Sequence, residues 1–120
     1  MRCEVEYTDE FGNWWERELD ESAQDEVLAV VGLLEMEGPH LGFPHSSGIR
    51  TSKFTHMREL RVQHKGDPYR IFYAFNPVRK AILLIGGNKD GNNRFYDQHV
   101  PLADALYEQH LAELKKEGVI

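Results

Sequence analysis

The hydrophobic positions change period along the chain, and the changes mark out the elements. Cys3 to Tyr7 alternates apolar and polar, the pattern of a half-buried strand. Thr8 or Asp9 then stands where a helix cap belongs, and Phe11, Trp15 and Leu19 recur every fourth residue, with Trp14 beside the stripe. Asp20 or Ser22 caps a second helix, whose apolar face is Val27, Val30, Val31 and Leu34, with Leu28 on the flank. Gly38-Pro39 stops it, because glycine accepts a left-handed backbone and proline cannot continue a helix. The join near residues 20–22 is short, so the two helices are expected to run antiparallel.

Residues 38–56 have no period and are rich in Gly, Pro and Ser, which predicts a long irregular connection of the kind that often carries function. Three strand patterns follow: Met57–Gln63, Tyr69–Asn76 after the turn HKGDP, and the continuous apolar run Ala81–Gly86, expected to be covered on both faces. Asn76-Pro77 marks a turn, and Gly86–Asn93 reads as a polar loop. The closing segment VPLADALYEQHLAELKKEG is helical, with Pro101 near its first turn and Leu102, Ala105 and Leu106 as its stripe. The order β-α-α-β-β-β-α predicts an α+β fold: a mainly antiparallel sheet packed on a helical hairpin, plus a C-terminal helix. A chain of 120 residues is expected to form one domain.

Composition narrows the setting. No apolar run approaches the ~18 residues that a membrane helix needs, and the acidic N-terminal segment is not a secretory signal. A lone cysteine excludes an internal disulfide and fits a reducing cytoplasm; Cys3 reads as a small buried hydrophobe. The net charge of −6 conceals a division. Residues 1–40 hold 12 acidic and 2 basic side chains, whereas residues 41–100 hold 4 acidic and 10 basic. The middle of an acidic chain is thus suited to a polyanion.

Within it, Glu59, Arg61 and Gln63 point to one side of their strand and Leu60 and Val62 to the other. In the next strand Arg70 lies opposite the apolar set Tyr69, Ile71, Tyr73 and Phe75. Arg61 and Arg70 therefore emerge together on the sheet face away from the helical hairpin. One carboxylate, Glu59, does not neutralise two guanidiniums, and an open surplus of this kind suits phosphate oxygens. Arg58 and Lys65 add charge to the same hairpin, Lys89 enters from the glycine-rich loop, and Arg94 and Tyr96 lie just beyond it. Other chemistries are poorly served. No HExxH pair is present, one cysteine excludes the common zinc clusters, and GGNKDGNN lacks the GK[ST] ending of a nucleotide loop. No metal or cofactor is expected.

MRELRV, then DPYRIFYAF, then LLIGGNKD and a final helix together resemble the RelE/ParE superfamily of bacterial toxins, in particular its HigB-like, phage-associated branch. The resemblance spans nearly the whole chain, and the ELR and YRIFY strands are its most specific part. It implies a small cytoplasmic toxin paired with an antitoxin of helix-turn-helix type, that cleaves mRNA on translating ribosomes without a metal. By position it implies site roles for Arg61, Arg70, Lys89 and Tyr96. Cleavage of this kind uses the ribose 2′-hydroxyl as nucleophile, so it needs a proton acceptor and cations for the phosphorane charge. His99 is a candidate base or acid, and Glu59, standing where lysine is frequent in the family, is a candidate acceptor. Arg58, Lys65 and Arg94 are read as RNA contacts. A second reading stays open: a non-catalytic interaction protein, or a gyrase-directed toxin of the same fold.

Overall fold

The computed structural model describes residues 2–120. Five strands form one sheet in the order β1-β5-β4-β3-β2. They are β1 (Val5–Tyr7), β2 (Ser46–Gly48), β3 (Arg58–His64), β4 (Asp67–Phe75) and β5 (Ala81–Asn88). β1 runs parallel to β5, and the other neighbours are antiparallel. The helices are α1 (Asp9–Glu18), α2 (Glu21–Glu37) and α3 (Phe95–Lys116).

Local chemistry sets the helix starts. Thr8 Oγ1 accepts the Phe11 amide at 3.0 Å and donates to the Leu84 carbonyl at 2.6 Å, so the cap of α1 is also its tie to β5. Asp20 Oδ1 accepts the Ala23 amide at 2.9 Å and caps α2. Gly38, at φ 56°, closes α2 with a backbone that side-chain-bearing residues rarely adopt.

The sheet has two cores. Phe11, Val27, Val30 and Leu34 of the first two helices, with Leu19 at their join, pack on Leu60, Val62, Ile71, Tyr73 and Leu83. On the opposite face Phe95, Val100, Ala103, Leu106 and Tyr107 of α3 pack on Phe72, Ala74, Ile82 and Leu84, with Met57. β5 is covered on both sides, which explains its unbroken apolar run.

The register shifts opposite Phe72 and Tyr73, so Leu84 and Ile85 both join the α3 side. This bulge rephases the end of β5. Gly86 then faces Trp14 of α1, and Gly87 faces Phe95 and His99 of α3. A side chain at Gly87 would meet both rings at 2.8 Å. Glycine there lets α3 settle directly on the strand beside Arg70, the cross-strand neighbour of Gly87.

Several expectations from the pattern need correction. The irregular connection contains β2, which pairs Ser46, Ser47 and Gly48 with Leu60, Glu59 and Arg58. The turn between β3 and β4 is only Lys65-Gly66, both at positive φ, a twist that matches the flanking strands; β4 accordingly begins at Asp67. α3 begins at Phe95, a full turn and more before Pro101, which therefore lies inside the helix. Leu102 and Ala105 are exposed, and the buried stripe of α3 runs through Val100, Ala103, Leu106 and Tyr107.

Candidate functional site

The earlier start of α3 matters chemically. It carries Tyr96 and His99 one turn apart over the sheet face that bears Glu59, Arg61 and Arg70. Arg61 and Arg70 are directly opposed in the β3–β4 register, as the alternation predicted. They are not, however, an open and uncompensated pair. Arg70 is buried, and Glu59, itself 4% exposed, reaches both: its Oε2 lies 3.3 Å from Arg61 Nη1 and its Oε1 lies 3.8 Å from Arg70 Nε.

Glu59 is the hub. Besides Arg61 it accepts hydrogen bonds from the Tyr96 hydroxyl at 2.7 Å and the Ser47 hydroxyl at 2.9 Å. With both oxygens already accepting hydrogen bonds and the group almost wholly buried, Glu59 is placed to orient its neighbours rather than to meet a substrate proton. The sequence-based reading of Glu59 as proton acceptor is therefore replaced by a positioning role. Ser47, which no spacing in the sequence marks, belongs to the same network through β2.

The two arginines differ in what they can still bind. Arg70 Nη1 donates to the Tyr69 carbonyl at 3.0 Å, while its buried Nε finds no hydrogen-bond acceptor among the described residues. Arg61 keeps 28% of its side chain exposed and lies beneath the Phe43 ring, 5.2 Å from the centroid. Two guanidiniums share one carboxylate, so the cluster retains a net positive charge. Lys89 adds to it, with Nζ 5.4 Å from the centre of the Tyr96 ring.

Tyr96 is held as a neutral donor. Burial is the main cause that raises its pKa, followed by the hydrogen bond to Glu59; Arg70 acts in the opposite direction. His99 is set by its helix and its stack. Its ring lies 4.1 Å from that of Phe95 at an interplanar angle of 22°, and Nδ1 is 2.9 Å from the Phe95 carbonyl. A carbonyl only accepts, so Nδ1 carries a proton there, and Nε2 is the ring nitrogen left to face the sheet. That nitrogen overlies Gly87, next to Arg70.

The remaining basic residues divide. Arg94 is exposed at the start of α3, two residues before Tyr96. Arg58 is not part of it: the Arg58 side chain points to the other sheet face, where Nε donates to Ser46 Oγ at 2.9 Å. Lys65 sits exposed at the hairpin tip and is near enough to Asp20 to help lower that carboxyl pKa. Neither supports the RNA contact expected of it at this site. Cys3 is half-buried and its thiol is raised by burial, so it is not poised as a nucleophile. Among the described residues no group of three or more His, Cys, Asp or Glu side chains could hold a metal ion. No helix among them is long and apolar enough to cross a membrane.

The family model described as phage-derived protein Gp49-like matches residues 14–108, which include every element of this cluster. Two curated relatives come from Mycobacterium tuberculosis (strain ATCC 25618 / H37Rv). HigB3, which carries a provisional toxin assignment, is 46% identical over 99 residues, covering 82% of this chain and 85% of the relative. HigB2, with the same provisional assignment, is 39% identical over 103 residues, and the match covers 84% of this chain but only about half (51%) of that longer protein. Among solved structures, the conserved hypothetical protein HP0894 from Helicobacter pylori aligns over 72% of this chain and 93% of its own, with 20% identity and a TM-score of 0.40. With a family match that spans most of its length and a relative at 46% identity, the chain belongs to the phage-derived Gp49-like family and is a HigB-like member of the RelE/ParE toxin superfamily.

Proposed function

We propose that the chain is the toxin of a type II toxin–antitoxin pair and acts in the cytoplasm as a ribosome-dependent, metal-independent mRNA endoribonuclease. The observation that carries this reading is the opposed Arg61–Arg70 pair, with His99 Nε2 over Gly87, the cross-strand neighbour of Arg70. In the proposed reaction His99 Nε2 accepts the 2′-hydroxyl proton. The oxygen attacks the adjacent phosphorus, the bond to the 5′-oxygen breaks, and that oxygen takes a proton from water, leaving a 2′,3′-cyclic phosphate and a 5′-hydroxyl. Arg61 meets the phosphate from the solvent side, and Arg70, buried beneath it, adds its fixed positive charge. Both stay protonated, so they can stabilise the charge that develops on the phosphorane. Lys89 adds a cation near the leaving oxygen, Tyr96 carries Lys89 on its ring, and Arg94 extends the basic rim toward the RNA backbone. Glu59 fixes Arg61 and Tyr96 in place, with Ser47 bracing it.

The antitoxin, of helix-turn-helix type in this reading, would bind elsewhere. A groove of about 780 Å³ between β1, α1 and α2 exposes Tyr7, Trp15, Leu28 and Val31, with Asp9, Glu16 and Glu35 around it. An amphipathic antitoxin segment with basic flanks fits that apolar floor and acidic rim.

Induced expression in a bacterial host tests the reading. Growth arrest is expected, together with new transcript 5′ ends within codons, and both should vanish when Arg61→Ala is combined with His99→Ala. Loss of one positioned proton-transfer group alone typically removes about 10²–10⁴ of rate. Full toxicity of the double variant would overturn the site assignment. Growth arrest with intact transcripts and with DNA breaks at gyrase sites would overturn the nuclease reading and favour gyrase as target.

A further inference from the structure

Phe43 stands out among the exposed apolar residues because it is 76% exposed yet firmly presented. The His45 and Ser46 amides both donate to the Gly42 carbonyl, at 3.1 and 3.0 Å, and the Arg61 amide donates to the His45 carbonyl at 2.8 Å. This turn is pinned to the edge of β3 just beyond the short β2. It holds the Phe43 ring over the Arg61 guanidinium, beside a pocket of about 370 Å³. The wall of that pocket includes Phe43, His45, Arg61, Gln63, Arg70 and Glu26.

The combination is selective. A solvent-facing ring held by backbone hydrogen bonds, adjoining paired guanidiniums, forms a stacking platform beside a phosphate grip, the arrangement by which proteins hold single-stranded nucleic acid. Gln63 and Glu26 add amide and carboxylate groups able to reach a base edge. We propose that this pocket is a nucleobase subsite: Phe43 stacks on a base of the nucleotide flanking the phosphate held by Arg61 and Arg70, and Gln63 with Glu26 sets which base is preferred. The proposal rests on the RNA-cleaving reading above, and it assigns substrate selection to the 42–45 turn rather than to α3.

Ribosomes programmed with a short mRNA provide the test. The exposed codon is 2′-O-methylated to block the nucleophile, and one position at a time carries either 2-aminopurine or no base. Binding of the protein is measured by co-sedimentation, and stacking by the quenching of 2-aminopurine fluorescence. At one codon position the wild type should bind the base-bearing mRNA roughly tenfold more tightly than the abasic one and quench its fluorescence. Phe43→Ala should abolish both the preference and the quenching, and Phe43→Tyr should restore them. Phe43 makes no core contact that would unfold the chain when removed, and Arg61→Ala should weaken binding to both mRNAs. Should wild type and Phe43→Ala bind the two mRNAs alike while Arg61→Ala still weakens them, the subsite is wrong and the phosphate grip stands. Should neither mRNA bind better than empty ribosomes, with Arg61→Ala without effect, the nuclease reading falls and the subsite with it.

Discussion

Replacing Glu59 with alanine is expected to damage the fold more than any other single change in the cluster. Glu59 accepts from Tyr96, Ser47 and Arg61 and lies 3.8 Å from Arg70, while almost wholly shielded from water. Its removal leaves the Arg70 guanidinium buried with no counter-charge and strands the Tyr96 and Ser47 hydroxyls. Breaking a buried ion pair from one side costs about 3–5 kcal/mol, most of it the penalty for the abandoned charge. The lost hydrogen bonds are not added to that figure, because groups in one network do not contribute independently. For a domain with a total stability of about 5–15 kcal/mol, the loss corresponds to a fall in melting temperature of roughly 10–20 °C. Arg61→Ala is the control. Arg61 is partly exposed and Glu59 keeps its other partners, so the cost should be about 1 kcal/mol or less. Urea denaturation followed by circular dichroism measures both. A Glu59→Ala midpoint within experimental error of wild type, or no lower than that of Arg61→Ala, would refute the hub assignment.

Gly87→Ala should force the His99 and Phe95 rings away from β5, because the added carbon would lie 2.8 Å from each. A cost of about 1–3 kcal/mol is expected, with loss of the His99–Phe95 stack in NMR ring-current shifts; unchanged shifts would contradict the packing. Asp104 is buried and accepts from Ser52 Oγ and, at 2.9 Å, from the Lys53 amide, so it moors the connection before β3 to α3. Asp104→Ala should cost about 1–3 kcal/mol and open residues 50–56 to limited proteolysis, and an unchanged digestion pattern would argue against the mooring. Alkaline pH should also destabilise the chain. The Tyr69, Tyr96 and Tyr107 hydroxyls are all raised above the ordinary value of 10.0, with burial as the leading cause. The folded state thus holds these protons more tightly than the unfolded state. Their contribution is full below about pH 10 and is lost as pH rises through the folded values. The urea midpoint should fall above pH 10, with phenolate absorbance at 295 nm appearing late; a midpoint that rises there would refute the sign.

Local patterns revealed much of this architecture, and their failures have definite causes. Both helix caps and the buried faces of α1 and α2 were legible because they depend on neighbours in sequence: Thr8 with Phe11, Asp20 with Ala23, and Val27 with Val30 and Leu34. The opposed Arg61–Arg70 pair was legible for the same reason, since strand alternation and one tight turn fix it. β2 was not, because Ser46-Ser47-Gly48 has no apolar alternation and exists only through its pairing with β3. Nor could spacing reveal that both Glu59 oxygens are engaged, because Ser47 and Tyr96 reach them from β2 and α3. Charge alone groups Arg58 with Arg61, yet it shares strand parity with Leu60, and that parity places it on the opposite face. The bulge that turns Gly87 toward His99 is invisible in a continuous apolar run.

The most direct test of the account is the chemistry of the cut ends. Purified protein is incubated with programmed ribosomes in excess EDTA, and the cleaved mRNA is examined for its termini. Cleavage is expected to persist in the chelator, to leave 2′,3′-cyclic phosphate and 5′-hydroxyl ends, and to fall by about a hundredfold or more with His99→Ala. Cleavage that stops in EDTA, leaves 5′-phosphate ends or survives His99→Ala unchanged would contradict the mechanism.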